Sequence, residues 1–280
     1  MKPCRQRGLN RRGSPRAVGR TVLALNIIAF ILTLTWPRAA PAQGAWSETG
    51  SMAAARSLHT ATLLTDGRVL VAGGHGSDKI LASAEFFNPG TGSWTAANSL
   101  ATARRLHTAT LLADGRVLVA GGFNPTDVHL NTVEIFDPVR ETWSTPAAMI
   151  HKRVTHVSTR LADGRVLVAG GYNRAEGFLD TAEIFDPDRE TWSTAGSMTH
   201  KRSEGTATRL PDGRVLVAGG DNASGPLDSA EIYNPQDNAW SGAGTMLNKR
   251  AGHTATLLRD GRVLVVGGVG KGEYLSSAEI

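Results

Sequence analysis

Four histidines, His59, His107, His156 and His253, occupy one position of a repeating pattern, three residues after Arg56, Arg104, Arg153 and Arg250. A ring of imidazoles is the chemistry of a transition-metal site. The fifth copy breaks the set, because Gly205 stands where the histidine would follow Arg202. Metal donors must converge to about 2 Å from one ion, so histidines spread over separate repeats read as structural groups bonded to neighbouring backbone, and no metal is expected. The arginines are matched by Glu85, Glu134, Glu183, Glu231 and Glu279. Five equal copies suggest an arginine–carboxylate or arginine–carbonyl brace in each repeat, since a charge removed from water needs such a partner. Catalysis usually requires one asymmetric site. One asymmetric acid is present, Glu204, beside the missing histidine and two residues after Arg202. The sequence has no Ser-His-Asp spacing, phosphate-binding glycine loop or Cys/His ligand motif, and no cofactor is expected.

The elements that must position these residues keep the same beat. Asp66–Gly74 reads Asp-Gly-Arg-Val-Leu-Val-Ala-Gly-Gly and returns at Asp114–Gly122, Asp163–Gly171, Asp212–Gly220 and, with Val266 for the alanine, Asp260–Gly268, at spacings of 48, 49, 49 and 48 residues. A fixed period of that size means a repeat architecture. Before each copy lies a β-prone run, His59–Leu64, His107–Leu112, His156–Leu161, Gly205–Leu210 and His253–Leu258. Two such runs joined by Asp-Gly predict a hairpin of strands a and b closed by a type I′ turn. The pairs Gly73-Gly74, Gly121-Gly122, Gly170-Gly171, Gly219-Gly220 and Gly267-Gly268 end strand b where a side chain would collide or φ must turn positive. Strand c is Ala84–Pro89, Val133–Pro138, Ala182–Pro187 and Ala230–Pro235, each stopped by an Asx-Pro turn. Strand d carries Trp94, Trp143, Trp192 and Trp240, read as core, and Trp46 stands in the same register ahead of the first unit.

The ordered set Arg56, His59, Gly73-Gly74, Glu85, Phe87 and Trp94, with its counterparts over about residues 45–280, resembles the kelch repeat. That resemblance implies an all-β propeller of four-stranded blades. Radial stacking also supplies the two covers that an isolated sheet needs. Two kelch-type enzymes resemble this pattern. Galactose-oxidase-like copper enzymes use a cysteine-linked tyrosine, whereas the only cysteine here is Cys4, in the leader. Periplasmic sialic-acid mutarotases move protons with groups at the channel mouth, and Glu204 with Arg202 keeps a sugar mutarotase or epimerase as the alternative function.

Strands that alternate in direction put the a–b and c–d turns on one face and the b–c and d–a connections on the other. The first face is nearly uniform and reads as folding chemistry. The b–c segments differ from copy to copy, and variable loops on a rigid scaffold are where recognition is built. They supply His75 and Asp78; Phe123, Asn124, Asp127 and His129; Tyr172, Asn173, Arg174 and Glu176; Asp221 and Asn222; Lys271 and Tyr274. The function expected is therefore non-catalytic binding of a protein or carbohydrate on this face.

Eight of the 30 basic residues lie in the first 42 positions, which hold no acid, leaving 22 against 25 acidic residues in the body, net −3. A nucleic-acid partner loses its electrostatic support. The basic segment, the apolar run Thr21–Trp36 and Ala40-Pro41-Ala42 read as an export signal over 1–42, either cleaved after Ala42 or kept as an N-terminal anchor, the one route to a membrane. The protein is expected to be periplasmic, secreted or at the cell surface. The propeller spans 43–280, with repeats at about 53–100, 101–149, 150–198, 199–246 and an incomplete 247–280. Residues 45–52 are expected to close the ring as the missing strand of the last blade, giving a monomer; a piece of a six- or seven-bladed parent is the alternative.

Overall fold

The structure is a computed structural model that describes residues 46–280; the export segment and Cys4 lie outside the described residues. Every regular element described is a strand, and no helix among the described residues is long and apolar enough to cross a membrane.

The repeats fold into antiparallel blades ordered a-b-c-d. Blade 1 is Thr60–Leu63, Val69–Ala72, Ala84–Asn88 and Ser93–Ala97; blade 2 is Thr108–Leu111, Val117–Ala120, Val133–Asp137 and Thr142–Ser144. Blade 3 is Val157–Arg160, Val166–Ala169, Ala182–Asp186 and Thr191–Ala195; blade 4 is Thr206–Arg209, Val215–Ala218, Ser229–Asn234 and Ala239–Thr245. Blade 5 has three strands, Thr254–Leu257, Val263–Val266 and Ala278–Glu279. The a strands of successive blades pack side by side from blade 1 to blade 5. The Val-Leu-Val-Ala strands of blades 2 and 3 are buried throughout, because a neighbour covers each face. At the two end blades Leu63 and Val266 stay exposed.

The closing strand is not formed. Residues 46–52 lie in no strand and Trp46 is fully exposed. Glu85 of blade 1 instead takes the amides of Ala53 (2.7 Å) and Ala54 (3.2 Å), and Gly50 N–H donates to Gly92 O (2.9 Å). The turn type also differs from expectation. Leu63 pairs with Val69, Leu64 N–H donates to Arg68 O (2.8 Å), and Gly67 N–H donates to Leu64 O (3.1 Å). Only Gly67 has positive φ (88°), so the loop is a three-residue hairpin with a glycine bulge. Asp66 serves it with its side chain, accepting from Arg68 N (2.9 Å) and Nε (2.8 Å).

The glycine pair joins blades. A Cβ on Gly121 would sit 2.6 Å from Arg153 O and 2.8 Å from His156 Cε1, both in the next blade, and one on Gly122 would sit 2.7 Å from Arg105 O of its own blade. The absent side chains let Gly122 N–H donate to Arg153 O (2.9 Å), a bond repeated at Gly74, Gly171 and Gly220. The tryptophans are half-buried, and Trp143, Trp192 and Trp240 pack against the core clusters from the edge. Each lies tilted on a strand-c aromatic, as Trp143 does on Phe136 at 4.8 Å. Trp143, Trp192 and Trp240 donate from Nε1 to a carbonyl of the preceding blade, Asn98, Ala147 and Gly196. A ring at the rim with a polar handle both packs and fixes the blade spacing.

Candidate functional site on the variable face

The recurring arginines and glutamates form one brace per blade. Arg104 is buried and its Nη2 lies 2.8 Å from Glu134 Oε1, while Nη1 donates to Gly121 O (2.8 Å) and Thr132 O (2.9 Å). Glu134 completes its shell with the amides of Ala101 (2.7 Å) and Thr102 (3.1 Å), from the connection leaving blade 1. The same pairs recur as Arg56–Glu85, Arg153–Glu183, Arg202–Glu231 and Arg250–Glu279. Burial pushes the Glu231 carboxyl up, but the amide of Thr199 and the Arg202 guanidinium outweigh it and hold the group below the usual carboxylate range.

The histidines are inter-blade latches. His107 Nε2 meets Thr60 Oγ1 (3.0 Å), His156 meets Thr108 (2.9 Å) and His253 meets Thr206 (3.1 Å), always in the preceding blade. Each ring thus meets a side-chain hydroxyl in addition to the backbone expected, which is Ala72 for His107, Arg153 for His156, and Ala218 and Arg250 for His253. Burial, followed by the nearby arginine, pushes His107 down to about 3 and His253 to about 4, so both rings are neutral. No group of three metal-ligating side chains assembles among the described residues.

Beside these latches a central cavity of about 440 Å³ is lined by residues of all five blades, among them Leu58, His59, Leu106, Thr155, Glu204 and Gly252. Leu58, Leu106, Thr155, Glu204 and Gly252 all have φ between 50° and 60°. They chain blade to blade through amide-to-carbonyl bonds running 106→58, 155→106, 204→155 and 252→204. Glu204 is exposed on this cavity. Arg202 does not join it, because its guanidinium is buried on Glu231 at 2.7 Å; the expected Glu204–Arg202 pair is thus not assembled.

The b–c segments of blades 2, 3 and 4 are short hairpins, Phe123–Asn124 with Val128–His129, Tyr172–Asn173 with Gly177–Phe178, and Asp221–Asn222 with Gly225–Pro226. Asn124 and Asn173 are buried at the turns and accept from their own loops, Asn124 from Asp127 N (2.6 Å) and Asn173 from Glu176 N (2.8 Å). They shape the hairpins, and Asp127 bonds Asn124 Nδ2 at 3.2 Å. Asn222 holds its own turn through Ser224 N (2.8 Å). The aromatic positions come together across the blade boundary. Phe123 meets His129 at 6.0 Å, His129 meets Tyr172 at 5.7 Å and Tyr172 meets Phe178 at 5.2 Å, all edge-to-face, with Arg105 over Phe123 at 4.9 Å. Arg174 N approaches His129 Nδ1 at 3.4 Å, and Glu176 takes His151 Nδ1 at 2.9 Å. His75, Asp78, Lys271 and Tyr274 belong to blades 1 and 5 and stand outside this row. Arg105, Phe178, His200 and Lys201 were not singled out by the sequence reading. The last two lie on the d–a connection, and only the ring placed six residues after the first in both Phe123–His129 and Tyr172–Phe178 hints at Phe178.

An all-β propeller whose blades share a brace, a glycine pair and a late tryptophan defines the class. The kelch motif matches residues 56–101, 104–150, 154–199 and 205–247, and the chain belongs to the kelch-motif family. Among solved structures it is similar to one titled "Structure of YjhT", with 16% identity, a TM-score of 0.68 and 80% of each chain covered, a likeness of fold alone. No curated protein matches the chain. A kelch propeller supports a binding or interaction module in general terms.

Proposed function

We propose that this chain is an exported, non-catalytic recognition module that takes a protein or carbohydrate ligand on the b–c face of blades 2 to 4. One observation carries the reading: the continuous row Phe123–His129–Tyr172–Phe178, built from the segments that differ most among the repeats, with Arg105 of the d–a connection over Phe123. Aromatic and arginine side chains concentrated at one surface are the residues that carry binding energy in recognition sites. The uniform face is occupied by stapling contacts, such as Arg68 Nη1 on Glu141 of the next blade (2.8 Å). Exchanging residues 123–130 and 172–179 for the shorter 75–80 segment leaves the strand content and melting transition of the full chain in place. The same exchange removes capture on a glycan and envelope-protein array; undiminished capture refutes the assignment of the face.

A second reading rests on Glu204, an exposed acid on the central cavity where the other blades present Leu58, Leu106, Thr155 and Gly252. A carboxylate there can relay a proton to a reducing sugar, which is mutarotase chemistry. Proton NMR of freshly dissolved reducing sugars, sialic acid included, then shows anomer exchange accelerated by the chain and slowed at least a hundredfold by Glu204→Gln. An unaccelerated rate, or a rate indifferent to the substitution, removes this reading.

A further inference from the structure

The row of rings stops at Phe178. In blades 2 and 3 the residue after the glycine pair is Phe123 or Tyr172, and His129 of blade 2 reaches Tyr172 of blade 3 at 5.7 Å. Blade 4 places Asp221 in that register, bridged to Ser203 as Tyr172 is to Val154. The boundary between blades 3 and 4 therefore lacks the ring that the previous boundary has. A cavity of about 450 Å³ opens there, lined by Phe178 together with Glu176, Thr199, His200, Lys201 and Ser224.

We propose that this cavity is a carbohydrate subsite in which one pyranose ring of a glycan takes the place of the missing rung against Phe178. The inference rests on the b–c face as the recognition surface and adds the class of ligand. A pyranose has one face of C–H groups and a rim of hydroxyls. Phe178 offers an apolar wall for the first, and the two hydroxyls, the ammonium, the imidazole and the carboxylate offer partners for the second. An apolar peptide side chain in the same place would strip water from these polar groups without replacing its hydrogen bonds. The carboxylate is set before a ligand arrives, since Glu176 accepts from Asn173 Nδ2 (3.0 Å) and His151 Nδ1 (2.9 Å). Groups already held lose little freedom on binding. The volume falls within the range of small-molecule clefts.

Saturation-transfer NMR on the full chain tests this, using the methyl α- and β-pyranosides of glucose, galactose, mannose and glucuronic acid, with open-chain sorbitol as the control. At least one pyranoside receives saturation at its ring protons and sorbitol receives none. Phe178→Ala weakens that pyranoside tenfold or more. Asp221→Tyr, which restores the aromatic of the preceding blades, abolishes binding while the melting transition is unchanged. Failure of every pyranoside to bind overturns the inference, as does binding that survives both substitutions. If the pyranosides fail while a polypeptide is captured and lost on exchanging 123–130, the subsite falls and the recognition face stands. If pyranoside binding is unaffected by exchanging 172–179 and by Asp221→Tyr, both fall.

Discussion

Replacing Glu183 by alanine lowers the unfolding free energy by about 3–5 kcal/mol, the cost of leaving one member of a buried ion pair uncompensated. Arg153 and Glu183 are both 0% exposed, and Nη2 lies 2.6 Å from Oε1. The substitution also strands the amides of Ile150 (2.6 Å) and His151 (3.1 Å), which have the carboxylate as their acceptor. Two consequences separate this brace from an ordinary surface pair. Removing Arg140, whose partner Asp137 lies at the exposed c–d turn, changes stability by about 0–1 kcal/mol. Removing both partners, as Arg153→Met with Glu183→Leu, recovers much of the loss, because no orphaned charge is left behind. Urea denaturation at neutral pH reads all three. A Glu183→Ala midpoint indistinguishable from that of the parent chain contradicts the account.

Acid loosens the blades before it reaches the braces. His107 is held neutral, its ionisation pushed from the ordinary 6.5 to about 3 by burial and by Arg104, and His253 to about 4 by burial and Arg250. His156 is shifted the same way, with burial again the first cause. A base whose folded pKa is depressed binds its proton more readily in the unfolded chain, so stability falls as pH drops below the unfolded value. Each such histidine contributes a slope of about 1.4 kcal/mol per pH unit, beginning near pH 6.5 and ending where the folded ring itself protonates. The carboxylates of Glu85, Glu231 and Glu279 are held below their ordinary 4.5 and weaken the fold only under that value. The interval from about pH 6.5 to 4.5 therefore isolates the histidines. The unfolding midpoint drops steadily across it, and His107→Gln, which keeps a side-chain amide for Thr60, flattens the slope by one proton's worth. A midpoint constant between pH 7 and 5 would count against the latch.

The strength of both effects follows from repetition, and repetition is also what made them legible. Arg153 and Glu183 announce themselves because the same two residue types return in every unit, so the pairing could be read before any contact was seen. The histidines returned just as regularly, and their threonine partners were still not legible. Thr108 and His156 lie in different blades, and regular spacing along the chain does not say which neighbour a ring turns toward. Arg202 shows the same limit. Two residues from Glu204 in sequence, it faces the interior of its blade while Glu204 faces the cavity. The hairpin was expected from Asp-Gly, and its turn type was not, because the three-residue loop is set by the register Leu63–Val69 and by Asp66 bonding Arg68.

By itself the sequence determined an all-β kelch propeller, its strands, its glycine pairs, an arginine brace in each of five repeats and which face varies, since each depends on local pattern multiplied by a nearly constant repeat. The tertiary structure alone decided what happens between blades. It turned the histidines into latches, left 46–52 unpaired as a strand, and aligned Phe123, His129, Tyr172 and Phe178 into one row that ends where Asp221 stands. Such contacts join groups brought together by radial stacking, and the free energy that selects them comes from burial and hydrogen bonding across a boundary that no single repeat contains.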